Sequence, residues 1–341
     1  MTQNQKPKLR DVARLAGVSV GSASRALSAP NAVKPLTLAK VEAAVRELGY
    51  VRDGAARALA LRRTYSIGAV FPTLNNPIFA DVVQFLHQRL YERKYQLIVA
   101  SHEYNRAREV ESINNLIDRG VEGILLVGTD HDPAVFESLR IAKRPFILMW
   151  SLDECRDHYC VGFSNEKCGT LIARHLLELG HTRIAVLGSD HQYNERIRFR
   201  LKGIRDTMRE KGLDLPDSHV ILQPFSIEGG RAGLRLAMEL EPRPTALICS
   251  TDIQSIGANA EAQSMNIRVP TDLSITGFDD ISFSAVSSPP LTTVRIGIAD
   301  IGRISADNIV SLIEGKAVAR QERIQVDLVV RESTAPPLRK S

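Results

Sequence analysis

The sequence predicts an N-terminal all-α head, a short connector and a two-lobed α/β body. Three observations predict this. Residues 8–60 carry two short amphipathic helical patterns joined by a glycine-containing turn, followed by a third. Basic charge is concentrated in that region. Residues 1–65 hold 12 Lys+Arg against 4 Asp+Glu, a net of +8, whereas the 341-residue chain carries only +5, so the remainder is −3. From Ser66 onward, short apolar runs alternate with amphipathic stretches, the pattern of parallel α/β sheets.

The head is read in chain order. Leu9, Val12, Ala13 and Ala16 recur at the one-face spacing of a helix. Gly17 suits the left-handed position that ends it, and Val18 can plug the core. Ser19 is a good N-cap for a second helix over 20–27, because its hydroxyl can accept an orphan backbone N–H. Thr37 is expected to cap a third helix over 38–48, with Val41, Val45 and Leu48 inward and Gly49 as its stop. Two short helices around a tight turn form a helix-turn-helix, whose second helix enters the DNA major groove. On that helix Val20 and Gly21 sit at the end that reaches base edges, and Arg25 can fork onto guanine. Ser22 and Ser24 are short donors suited to phosphates, and the charge asymmetry is the footprint of a phosphate binder. Residues 17–21 (GVSVG) also match the G-x-S-x-G nucleophile elbow, but that turn needs a buried strand before it, and here a helix precedes Ser19.

In the body, strands are expected at 67–71, 96–100, 123–127, 146–150, 184–187, 246–249, 274–278 and 292–295, with helices such as 78–93, 107–119, 168–179 and 197–211 between them. About eight such units fit two doubly wound lobes. No apolar run approaches the ~20 residues of a membrane span, and the polar N-terminus lacks the pattern of a signal peptide, so a cytoplasmic protein without a membrane partner is expected. Cys155, Cys160, Cys168 and Cys249 show no CxxC pairing and read as reduced, structural or solvent-facing thiols rather than a metal site. No cofactor is expected. Asp130-His131-Asp132 and Asp190-His191 have no nucleophile placed beside them by any motif and read as solvated loops, so no enzyme is expected either.

The residues then resemble one family. LRDVARLAGVSVGSASRAL, IGAVFPTLNNPIFADV, RGVEGILLVG, HLLELGHTRIAVLG, PTALICSTDIQSIGA and VPTDLSITGFDDISFSAVSSPPLTTV are similar to blocks of the lactose-repressor/galactose-repressor (LacI/GalR) regulators, in the family's order along nearly the whole chain. The resemblance implies a head over 1–52, a hinge helix and linker over 53–64, and a body over 65–341 like periplasmic sugar-binding proteins. Its N-lobe would take about 65–163 plus 295–327 and its C-lobe about 164–294 plus 328–341, with crossings near Phe163–Ser164, Thr293–Arg295 and Asp327–Leu328. It makes GAARALA, residues 54–60, the hinge helix, with Leu59 as the minor-groove wedge and Ala55 and Ala56 small enough for close approach. It implies a homodimer on a pseudo-palindromic operator. The tail APPLRKS lacks the heptads of tetrameric members.

The resemblance also places an effector cleft between the lobes. Asn76 and Phe79 correspond to first-lobe contacts, Arg198 and Arg200 to the arginines aimed at ligand, and Asp279 to the acid that accepts from sugar hydroxyls. Three positions depart from the sugar binders: Trp150 stands where Asp is common, Thr251 where Asn is, and Ile298 where an aromatic or amide is. Trp150 reads equally as core or as a ligand-stacking ring. Two arginines with fewer acids point to an anionic effector, a sugar acid or other carboxylate. The expected function is a DNA-binding repressor switched by a small molecule. The rivals are an activator and a small-molecule binding module with a vestigial head.

Overall fold

The computed structural model describes residues 6–51, 58, 61, 63–155, 157–189 and 192–338. The chain divides into two compact units, Met1–Thr64 and Tyr65–Ser341.

In the first unit, helices α1 (Leu9–Leu15), α2 (Val20–Ser28) and α3 (Pro35–Leu48) enclose a small core of Val12, Ala13, Ala16, Ala23, Ala26, Val41 and Ala44. Gly17 takes φ 65° after α1, and Val18 N–H reaches back to Ala13 O at 3.0 Å, closing the helix with a Schellman-type bond. Ser19 Oγ accepts Ser22 N–H at 3.0 Å and caps α2. Gly49, at φ 59°, ends α3 in the same way as Gly17 ends α1. The start of α3 differs from expectation. Lys34 is its N-cap and Pro35 its first residue, so Thr37 lies inside the first turn. Proline's fixed φ and missing N–H suit that first position, a stronger signal than the threonine hydroxyl.

The second unit holds two six-stranded sheets. The first has strand order β11-β5-β4-β3-β1-β2: β1 (Ser66–Phe71), β2 (Gln96–Ser101), β3 (Gly123–Val127), β4 (Phe146–Met149), β5 (Cys160–Gly162) and β11 (Gln321–Arg323). The second has order β12-β10-β9-β8-β6-β7: β6 (Ile184–Gly188), β7 (Val220–Leu222), β8 (Ala246–Cys249), β9 (Ser274–Asp279), β10 (Thr292–Ile296) and β12 (Val326–Val329). All pairings are parallel except β10 with β12. Parallel strands need crossover helices, and the chain supplies them. They are α4 (Pro77–Glu92), α5 (Arg106–Asp118), α6 (Pro133–Ile141), α7 (Asn165–Glu178), α8 (Glu195–Arg209), α9 (Ile227–Glu239), α10 (Asp252–Ser264) and α11 (Ile298–Ile313).

The chain passes between sheets three times. After β5 it enters α7, beside Phe163–Ser164. The later passages fall beyond the expected Thr293–Arg295, which lies within β10, and before the expected Asp327–Leu328, which lies within β12. They occur instead around Gly297, next to α11, and at Ile324–Gln325 between β11 and β12. The three-residue strands β5, β7 and β11 escape the sequence pattern because runs that short carry no period.

Helices α7 and α8 approach so closely that glycine is required. A Cβ on Gly169 would strike Arg200 O, and one on Gly203 would strike Glu166 O. This contact fixes where the start of α8 points.

The cysteines also differ from expectation. Cys155 and Cys160 are joined as a disulfide, with Cα atoms 6.6 Å apart, and Cys168 and Cys249 are buried rather than solvent-facing. A spacing of five residues across a β4–β5 loop has no motif signature, so only the fold brings this pair together.

Candidate functional site: the cleft between two sheets and the exposed face of α2

The loops at the carboxyl ends of β1, β4, β8 and β9 converge with the start of α8, where open α/β sheets bind ligands. Asn76 caps α4 by accepting Ile78 N–H at 3.3 Å, and its amide donates to Asp279 Oδ2 at 3.2 Å, joining the two lobes. Asp279 sits at φ 122°, strained for a side chain, and is buried. Burial, the neighbouring charge of Asp252 and the opposing pull of Arg200 leave its carboxyl at about 8. Phe79 lies in an aromatic chain, 5.6 Å from Phe71 and 5.1 Å from Trp150. Trp150, at φ 77° and 2 % exposed, packs into this cluster at the end of β4. Thr251 is the N-cap of α10, accepting Gln254 N–H at 3.4 Å. Ile298 opens α11 and packs on the large core.

The arginines divide differently from expectation. Arg200 is buried in the cleft. It donates to Asn165 Oδ1 and Ser250 O, both at 3.0 Å, and lies 3.3 Å over the Phe278 ring. Its acceptors are neutral, and burial pulls the guanidinium down to about 10. Arg198 instead turns outward to Asp130, 2.7 Å away. The arginine that shares the face of Arg200 is Arg196, which the sequence reading missed. It is buried and donates to Val127 O at 3.0 Å across the lobes. Beside it Glu195 accepts Thr129 N–H at 2.9 Å. Gly128, at φ 98°, leaves room for both; a Cβ there would run into the Arg196 guanidinium.

The triplet 130–132 is not a solvated loop. Asp130 is held by Arg106 and Arg198, Asp132 caps α6, and His131 is buried. His131 Nδ1 lies 2.7 Å from Glu109 Oε1 and its Nε2 faces Gly128 O at 3.1 Å. Burial pushes the Glu109 carboxyl up, but the hydrogen bond and charge of His131 outweigh it and leave it below its usual range. Burial also lowers His102, on the same wall. These groups, with Tyr104, Glu195 and Arg196, line a cavity of about 20 Å³. That is about the space of one water. Asp280, which follows Asp279 in the chain, is taken by Arg295 at 2.6 Å and Arg331 at 2.7 Å. Asp190 and His191 lie outside the described residues.

In the first unit, α2 buries Ala23 and Ala26 and leaves Val20, Gly21 and Arg25 exposed on the other side, with Ser22 and Ser24 half-buried. Ser22 Oγ is 2.9 Å from Ser19 Oγ. Ala55, Ala56 and Leu59 lie outside the described residues.

Two family descriptions match: "Bacterial regulatory proteins, lacI family" over residues 8–53, and "Periplasmic binding protein-like domain" over 173–334. The ribose operon repressor of Escherichia coli K12 is 30 % identical over 331 residues, 95 % of this chain and 98 % of that one. The chain belongs to the lacI family of bacterial regulators. Another family relative, the HTH-type transcriptional regulator GntR of Pseudomonas aeruginosa, is 32 % identical over 96 % of each chain. Among solved family structures, the lac repressor dimer bound to operator and the anti-inducer ONPF superimposes with TM-score 0.85. It has 26 % identity and covers 97 % of this chain and 100 % of that one. A lacI family regulator from Silicibacter pomeroyi gives TM-score 0.86 at 25 % identity, covering 96 % of this chain and 99 % of that one.

Proposed function

We propose that the chain is a dimeric repressor whose hold on a pseudo-palindromic operator is switched by a small organic acid, such as a sugar acid, taken between its two lobes. The single observation that carries the effector class is Arg200. It is a buried guanidinium whose hydrogen-bond acceptors are all neutral, with the equally buried Arg196 one helical turn away. A buried cation with only neutral acceptors favours an incoming carboxylate, which it can grip through two parallel bonds. Asp279, at about 8, keeps its proton at neutral pH and so adds little opposing charge.

Val20, Gly21 and Arg25 read the bases, Ser22 and Ser24 meet phosphates beside Ser19, the cap of their helix, and Ala55, Ala56 and Leu59 form the minor-groove wedge. Val20 and Gly21 make no side-chain hydrogen bonds, so their discrimination is van der Waals. An acid that fits the cleft must replace the Arg196–Val127 and Glu195–Thr129 bonds with its own. Its unequal affinity for open and closed lobes then biases the dimer.

The test is selection of DNA from a random pool by the full chain, repeated with a mixture of sugar acids and one of neutral sugars. The expected result is a palindrome with a central CG step whose enrichment changes with the acids. Binding without a consensus overturns the regulator; a response to neutral sugars alone overturns the acid.

A further inference from the structure

We infer that Cys155 and Cys160 are a reversible thiol–disulfide modification site that tightens the loop linking the cleft to the crossover between lobes. The proposal stands apart from the identity of the effector.

Where the pair sits carries the argument. The β4–β5 loop begins at Trp150 and ends at Cys160, the first residue of β5. Within it, Asp153 accepts Ser164 Oγ at 2.9 Å and Asn165 N–H at 2.6 Å, holding the first turn of α7. Asn165 donates to Trp150 O at 3.2 Å and accepts from Arg200. The loop therefore grips the first helix of the second lobe and, through one amide, the cleft arginine. Its far side is tied to β11, just before the third passage between lobes: Cys160 N–H bonds Arg320 O at 2.8 Å, and Gln321 bonds Cys155 O. A cross-link from residue 155 to 160 restrains the piece of chain on which two of the three passages are anchored.

The chemistry is specific to this pair. Cys168 and Cys249 are buried and unpaired, and burial pushes both thiols up to about 12, so they stay protonated and unreactive. Cys155 and Cys160 are also buried, but they belong to a surface loop in which Glu154 and Asp157 are exposed. A peroxide-class oxidant is small enough to enter when such a loop opens locally. One thiolate attacks a peroxide oxygen and becomes a sulfenic acid, releasing hydroxide, which takes up the thiol's proton as water. The second thiol's sulfur then displaces the sulfenic oxygen as a further water and forms the S–S bond. Two thiols are oxidised by two electrons and one hydrogen peroxide is reduced to two waters. A dithiol reductant reverses the change through a mixed disulfide. A protein that works on chromosomal DNA meets such reductants, and disulfides there are typically transient and sensory.

Trp150 is the chain's only tryptophan and reports on this loop directly. The experiment treats the full chain with hydrogen peroxide or dithiothreitol. It reads intact mass, peptide mapping of alkylated thiols, Trp150 emission with acrylamide quenching, and hydrogen exchange. The expected oxidised form is about 2 Da lighter, with the link mapped to 155–160. Reduction should shift Trp150 emission and speed exchange of the Leu152 and Asn165 amides about tenfold. Cys160→Ser should lose the response to either reagent. The wild-type comparison stands alone if that variant misfolds. Thiols at 155 and 160 that resist peroxide, a link that maps elsewhere, or identical Trp150 emission and exchange in both forms would each overturn the proposal.

Discussion

Arg200→Lys separates the anion grip from mere positive charge. Lysine keeps the cation but gives up the planar fork. In the structure Nε holds Asn165 Oδ1 and Nη1 holds Ser250 O, each at 3.0 Å, and the guanidinium stacks 3.3 Å over Phe278. An ammonium at the same place satisfies one of these acceptors. The lost charge-assisted bond is worth about 1.5–3 kcal/mol, and the weakened stack about 0.5–1 kcal/mol. The expected destabilisation is therefore about 2–4 kcal/mol, a fall of roughly 5–15 °C in the body's melting temperature. The same loss of one parallel bond should weaken a carboxylate ligand by about tenfold to a hundredfold. The assay is a thermal-shift screen of organic acids and neutral sugars against the wild type, then calorimetric titration of the best acid against both chains below the variant's melting temperature. An acid bound equally well by the folded variant refutes Arg200 as the grip. Neutral sugars that raise the wild-type melting temperature where acids do not refute the acid itself.

Three further outcomes are expected. Leu59→Ala should weaken operator binding far more than non-specific binding in a salt-matched gel-shift series, because the wedge acts only on the bent site; equal losses would exclude the wedge. Ser19→Ala removes the cap bond to Ser22 and should cost the head about 1 kcal/mol in chemical denaturation, leaving melting of the body unchanged. Asp279 makes stability depend on pH with a definite sign. Its folded carboxyl lies at about 8, against about 4 for an unfolded carboxyl, so the folded chain holds the proton more tightly. Its contribution is fully present below pH 4, is lost as pH rises from about 4 to 8, and is flat above. Denaturant melts at pH 5 and 8 should show that Asp279→Asn loses less stability than the wild type over this interval; equal losses would contradict the buried neutral acid.

The alternation of apolar runs with helical patterns was enough to read the sheets, because buried parallel strands of four or more residues leave a continuous signature. The head was legible because its turns depend on chemistry local to a few residues: Gly17 and Gly49 at positive φ, and Ser19 on Ser22. Thr37 misled because a cap-like residue follows a proline that already starts the helix. What stayed hidden depends on distant chain segments meeting. Asn76 on Asp279, Glu109 under His131 and Cys155 beside Cys160 have no spacing rule.

The arginines of α8 are different, because helix geometry alone could have sorted them. Residues two apart on a helix point about 200° apart, whereas residues four apart share a face. Arg198 and Arg200 therefore cannot both enter one cleft from a regular helix, and Arg196 and Arg200 can. The structure makes that choice and gives each side a consequence. Arg196 and Arg200 are buried with main-chain and amide acceptors, while Arg198 is spent on Asp130, where Arg106 already helps neutralise the acid. The outer pair joins the lobes through a partly exposed charge-assisted hydrogen bond, open to screening by salt. The inner pair is shielded from solvent and held by neutral acceptors. Ionic strength should then loosen the rim and leave in place the buried bonds of the two arginines that share a helix face.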